Sequence, residues 1–157
     1  VISGFWLAMS GVAAAVFLAG IGSSIGVQIP SRAAAGVLSE QPDKFGRTFI
    51  LVVLPSTQGF YGFIAAMFMM MKLGMFGGNL NFDMTAIEGL RYLVAGLPVG
   101  IVGLVSGIHQ GLVSAAGVEL AAKQPEATMR VVIYAVMVET YAILSFVTSF
   151  LMINAIG

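Results

Sequence analysis

An all-α integral membrane protein, with four transmembrane helices paired as two duplicated helical hairpins, is the fold class this sequence predicts. Three observations carry it. Of the 157 residues, 59% are hydrophobic and only 9% are charged, against about 25% charged in ordinary soluble domains. Long apolar stretches are separated by short polar breaks, and each stretch exceeds the roughly 20 residues a helix needs to cross the hydrocarbon core. Finally, Ala34-Ala35-Gly36-Val37 and Gln41-Pro42 recur as Ala115-Ala116-Gly117-Val118 and Gln124-Pro125, and Gly20-Ile21 recurs as Gly107-Ile108. Such self-similarity marks a duplicated unit.

The first span runs from about Ser3 to the region of Arg32 to Leu38. Val1 to Ser31 carries no charge. It lacks a basic leader and is too long for a signal h-region, so it reads as a retained membrane helix. Gly11, Ala15, Ala19, Gly22 and Gly26 fall on one face and permit close helix contact. Pro30 is expected to kink this helix or restart it. A short polar loop, Ser39 to Arg47, then favours an antiparallel return. The second span, about Lys44 to Lys72, contains Pro55, which frees the carbonyl of Leu51 and can expose others as ligands.

Gly77-Gly78-Asn79 and Asp83 mark the clearest break. The third span, about Ala86 to Ala121, carries a second glycine face at Gly96, Gly100, Gly103, Gly107 and Gly111. The fourth runs from about Ala127 to Asn154. The chain thus divides into a first hairpin over residues 1–75, a connecting loop over 76–85 and a second hairpin over 86–157. An even number of spans separates the hairpins, so they should be parallel. The Gln-Pro loops and their flanks hold Arg32, Lys44, Arg47, Lys123 and Arg130, and the opposite side holds Lys72 and Arg91. That asymmetry places both loops in the cytoplasm.

Several classes fall away. Seven basic and seven acidic residues balance, so no global field attracts nucleic acid. There is no cysteine, hence no disulfide, thiolate metal site or cysteine nucleophile. Four spans leave no room for a soluble domain. No Gly-rich phosphate loop is present, so no nucleotide is expected to bind this chain.

Glu139 is the one acidic residue deep in an apolar segment, with Arg130 the nearest charge before it and none after it. A membrane carboxylate needs a proton, a cation or a dense set of donors. Aligning the Gln-Pro pairs sets Ser56 against Glu139, so only the second hairpin carries the carboxylate. Glu139 lies 14 residues past Pro125, about 21 Å along a helix. Thr57 and Gln58 reach the same depth on the second span, Tyr61 is one turn further, and Gln110 arrives there from the third. Carboxylate, hydroxyl and amide oxygens suit a hard cation. With no Lys or Arg nearby, one monovalent cation, Na⁺ or H⁺, neutralises the loaded site. Taken singly, Gln58, Gln110 and Thr57 also read as interhelical hydrogen-bond glue, Tyr61 as packing, and His109 as a neutral packing or pore-lining residue.

Leu54-Pro55-Ser56-Thr57-Gln58-Gly59-Phe60-Tyr61-Gly62-Phe63, Ser106-Gly107-Ile108-His109-Gln110-Gly111 and Val138-Glu139-Thr140-Tyr141-Ala142-Ile143-Leu144 resemble the proteolipid (c or K) subunit of V-type ATPases, in particular its bacterial sodium-translocating branch. The likeness covers nearly the whole chain. It implies that Glu139, Thr57, Gln58, Gln110 and the main-chain carbonyl of Leu54 hold the ion, Na⁺ rather than H⁺, while Tyr61 steadies the carboxylate. Ser56, where that branch has Gly, and His109 are local departures. The resemblance further implies a homo-oligomeric ring in the lipid bilayer of a bacterial cell, with the glycine-faced spans inside. It implies a stator subunit bearing a basic residue, a central stalk docked on the Gln-Pro loops, and ATP hydrolysis by other subunits. A proton-carrying ring, a standalone oligomeric ion channel and a structural membrane assembly protein are the competing readings.

Overall fold

The computed structural model describes residues 3–156; Val1, Ile2 and Gly157, the outermost residues of the two expected hairpins, lie outside the described residues. Four helical rods form the chain, each long and apolar enough to cross a membrane, and the described residues contain no strand. The first rod is α1, Gly4–Glu40. The second is α2, Phe45–Val53, joined to α3, Thr57–Lys72, through a 3-10 turn at Leu54–Ser56. The third is α4, Ala86–Lys123, and the fourth is α5, Thr128–Ala155.

Pro30 neither breaks nor restarts the first rod, because α1 runs through it and buries it. The residue four positions earlier, whose carbonyl a proline ring crowds, is Gly26, which leaves that turn room to adjust. Both Gln-Pro loops close in the same way. The Gln41 N–H donates to Val37 O at 2.9 Å and the Gln124 N–H to Leu120 O at 2.7 Å. Gln41 has φ −134° and ψ 69°, and Gln124 has φ −136° and ψ 78°. Proline then opens a 3-10 turn in each case, where its missing N–H costs nothing. The duplication is therefore present in the backbone as well as in the letters.

The connection between the hairpins turns at Gly74, with φ +75°, a left-handed conformation that a side chain would strain. It ends in a capping box: the Thr85 N–H donates to Glu88 Oε2 at 2.8 Å, and the Glu88 N–H donates to Thr85 Oγ1 at 3.3 Å. Two orphan donors at the start of α4 are thereby satisfied. Lys72 Nζ caps the other end of the second hairpin by donating to the carbonyls of Asn154 and Ile156.

The centre of the molecule is the contact between α1 and α4. A Cβ on Gly11 would meet the backbone at Tyr92 and Leu93, one on Gly96 the backbone of Gly11, and one on Gly22 would lie 2.5 Å from Gly103 O. Cβ atoms on Gly107 and Gly111 would lie 2.7 Å from Gly22 C and from Gly26 Cα. Gly11/Gly96, Gly22/Gly107 and Gly26/Gly111 share one constant separation in number, which requires the two helices to be parallel. Removing side chains lets backbone touch backbone, the packing available where lipid supplies no hydrophobic drive. Outward from this contact the buried core continues through Ala65 to Met69, Val99 and Ile153, whose larger side chains fill the space. The outer surface is apolar: Phe17, Ile133, Met137, Leu144 and Leu151 are all exposed, as a bilayer-facing surface should be.

Candidate functional site

At Pro55, which has no N–H, the second rod leaves the α-helical pattern, whereas α1 and α4 run through Pro30 and Pro98. The resulting 3-10 turn sets the Leu54 carbonyl to accept from both the Thr57 N–H and Thr57 Oγ1, the latter at 3.0 Å. Thr57 Oγ1 also lies 3.3 Å from Gln58 Oε1. Three oxygens of three different kinds are thus clustered on one turn. Gly62 brings this turn against α1, since its Cβ would sit 2.5 Å from Ala19 Cβ.

Gln58 and Gln110 are both 0% exposed. Gln58 Nε2 donates to Gln110 Oε1 at 2.6 Å. Gln110 Nε2 donates to Ala135 O at 3.0 Å and to Glu139 Oε2 at 3.4 Å. The Tyr61 hydroxyl donates to Glu139 Oε1 at 2.8 Å. Its ring stacks on Phe146 with centroids 5.6 Å apart, which fixes the hydroxyl's position. Leu54, Thr57, Gln58, Gln110, Glu139 and Tyr61 therefore form one connected set across the Leu54–Ser56 turn, α3, α4 and α5, all from a single copy of the chain.

The set lies at the lateral edge of the molecule. Leu54, Thr57, Tyr61 and Glu139 are half-buried, while Gln58 and Gln110 close the inner wall. Met137, Tyr141 and Leu144 flank the carboxylate on the exposed face of α5. Both carboxylate oxygens accept hydrogen bonds, an environment suited to the anion. Among the described residues no group of three His, Cys, Asp or Glu is placed to hold a metal ion. The available donors are hard oxygens, mostly neutral.

His109 is not in the set. It is exposed on α4, with Nδ1 2.9 Å from Val105 O. Ser56 donates to Val53 O at 2.6 Å and stays outside as well. Sequence reasoning overlooked Ser23, whose Oγ accepts from the Gly59 N–H at 2.7 Å and ties α1 to the Pro55 turn. The available signal was a hydroxyl beside Gly22 on the close-packed face of the first span. It also overlooked Ser149, whose Oγ accepts from the Val99 N–H at 3.1 Å beside Pro98.

The family model for the ATP synthase C subunit matches this chain twice, over residues 10–69 and 93–152. The chain belongs to the ATP synthase C-subunit family. It is 46% identical over 150 residues to the K subunit of the V-type sodium ATPase of Enterococcus hirae, covering 96% of this chain and 92% of that one. It is 33% identical to the K subunit of the A-type ATP synthase of Methanocaldococcus jannaschii, covering 91% of this chain and 60% of that protein. Identity to the 16 kDa proteolipid c subunit of the human V-type proton ATPase is 24%, over 94% and 90%. As a proteolipid of the V-type rotary ATPases, the chain is an integral membrane ring subunit and not a catalytic one. The two matches start 93 − 10 = 83 residues apart and end 152 − 69 = 83 apart. The Gln-Pro pairs have the same separation, as do Ser56 and Glu139.

Proposed function

We propose that this proteolipid carries one Na⁺ per copy on Glu139, coupling rotation of the ring to ATP hydrolysis by other subunits. The observation behind this reading is the connected oxygen set. A bound proton needs one acceptor, yet both carboxylate oxygens here face donors, and Leu54 O, Thr57 Oγ1 and Gln58 Oε1 cluster alongside. The Gln110 amide oxygen completes the set when it exchanges its bond with Gln58 for the ion. Tyr61 holds the carboxylate in place. The E. hirae relative, named as part of a sodium ATPase, supports the same ion.

Physically, the loaded site is neutral and tolerates lipid, whereas the empty carboxylate facing lipid costs several kcal/mol. Rotation without an ion is therefore suppressed. Unloading belongs beside a stator subunit whose basic residue supplies the counter-charge. The Gln-Pro loops, flanked by more basic residues than the opposite side, face the cytoplasm of a bacterial cell and dock the central stalk. In this reading residues 1–75 and 86–157 act as two hairpins joined by 76–85, with only the second carrying the carboxylate.

Carbodiimide modification of protonated carboxyls tests the ion. At fixed pH, added Na⁺ is expected to protect Glu139. Labelling that no Na⁺ concentration reduces would sink the sodium reading and leave a proton ring. Tyr61→Phe retains the stack on Phe146 and removes one donor to the carboxylate. A hydrogen bond to a charged group contributes about 1.5–3 kcal/mol. The half-protecting Na⁺ concentration should therefore rise roughly ten- to a hundred-fold. An unchanged value means that the phenol only packs.

A further inference from the structure

Counting back along each helix from the equivalent C-caps Gln41 and Gln124, residue i of α1 stands at the position of residue i + 83 of α4, a register from which the Ala-Ala-Gly-Val pair (81 apart) and the Gly-Ile pair (87 apart) depart. Gly11, Gly22 and Gly26, on the side of α1 packed against α4, are buried. Their counterparts Val94, Val105 and His109 are exposed on α4. Conversely Gly89, Gly107 and Gly111, on the side of α4 packed against α1, are buried. Their counterparts Trp6, Ser24 and Gln28 are exposed on α1. Each helix has one covered side and one uncovered side. His109 stands two residues from both Gly107 and Gly111, which at about 100° per residue puts it across the helix from the α1 contact.

In the ring, the uncovered side of α4 meets the uncovered side of α1 of the next copy, and we propose that at this contact Gln28 of the next copy donates a hydrogen bond to His109. The repeat sets the register. Within a copy, Gly26 abuts Gly107 and Gly111. Shifting each partner by 83 sets His109 of one copy against Ser24 and Gln28 of the next. A cleft of about 400 Å³ between α4 and α5 supports the same occupant. Its lining includes Arg91 and Ala155 together with Ile87, Leu90, Val94, Met152 and Ile156, the last five being counterparts of Gly4, Leu7, Gly11, Met69 and Leu73. In the first hairpin the equivalent region packs around Tyr92, and the counterpart of Tyr92 is Met9. Met9, half-buried against the core of its own copy, is the residue of the next copy that this register sets at the mouth of the cleft.

The chemistry at His109 selects its partner. With Nδ1–H donating to Val105 O, Nε2 is left as an acceptor. Ser24 Oγ already donates to Ile21 O at 2.9 Å. The Gln28 amide is exposed and free to donate, and at membrane depth an unpaired amide or imidazole is costly. Val105 stands where Gly22 stands in the internal contact, so adjacent copies are separated by a side chain while α1 and α4 of one copy touch by backbone. The contact holds whichever ion Glu139 carries.

The absence of cysteine makes the test direct. In the full chain in native membranes, Gln28→Cys combined with His109→Cys should give a multi-copy ladder on oxidation or with a short thiol-to-thiol linker. Neither single variant should do so. Met9→Cys with Met152→Cys should give the same ladder and tests the packing without disturbing the polar pair. Absence of both ladders from assembled rings overturns the proposal, as does alkylation of His109→Cys by a water-soluble reagent filling the ring lumen. A ladder from the methionine pair alone overturns the register at His109. His109→Ala and Gln28→Ala should lower the ring's dissociation temperature by similar amounts, with the double variant no worse than either. Fully additive losses overturn the hydrogen bond.

Discussion

Glu139→Gln is expected to reduce ATP-driven ion uptake to the background of unenergised vesicles while the ring still assembles. The amide has the shape of the carboxylate, and its oxygen still accepts from the Tyr61 hydroxyl, 2.8 Å away in the parent. What it loses is the charge. A neutral side chain facing lipid has no desolvation cost to remove and no cation to hold, so rotation and transport are uncoupled at that position. Carbodiimide labelling should vanish with the carboxyl. Two measurements check the result: vesicle uptake, and the amount of intact oligomer extracted in detergent. Uptake at half the parental rate with full assembly would falsify the assignment of the carrier to Glu139.

Gly26→Leu should have the second large effect, on assembly rather than transport. A Cβ there would lie 2.8 Å from Gly107 C and 2.8 Å from Pro55 Cβ, with the Gly107 carbonyl oxygen closer still. The obstacles are backbone and a rigid ring, neither of which yields as a flexible side chain does. Overpacking of this kind costs about 1–3 kcal/mol or more. It also pushes on the Pro55 turn that positions Leu54, Thr57 and Gln58. The variant is expected to lose the thermally stable oligomer. Gly36→Leu is the control, since a Cβ at Gly36 meets nothing within 4 Å. Equal dissociation temperatures for the two variants would show that the helix contact tolerates a side chain.

The sequence makes depth readable and direction much less so. A helix rises by a fixed 1.5 Å per residue, so counting from the Gln-Pro loops brings Thr57, Gln58, Gln110 and Glu139 to one layer, and these side chains meet in the structure. The spans themselves follow from long apolar runs. Direction around a helix is normally read from a polar stripe. Membrane helices are apolar all round, and only rows of small residues mark a face. The glycine rows were visible, but the register between Gly22 and Gly107 was not. Ser23 and Ser149 were missed for the same reason: a lone hydroxyl in an apolar run gives no direction until the neighbouring helix is placed. The continuity of α1 through Pro30 depends on Gly26 one turn earlier, a tertiary contact point as much as a local one.

Ser56 occupies the place of Glu139 in the first hairpin, and this has a mechanical consequence. With Glu139 as the proposed carrier, a ring of given circumference built from these chains would have one carrier for every two hairpins. Each revolution then moves half as many ions as a ring with a carboxylate in every hairpin. For a fixed number of ATP molecules per turn, the free energy available to each ion is doubled. The substitution of one hydroxyl for one carboxylate therefore acts as a gear change, exchanging throughput for the steepness of the gradient the machine can sustain.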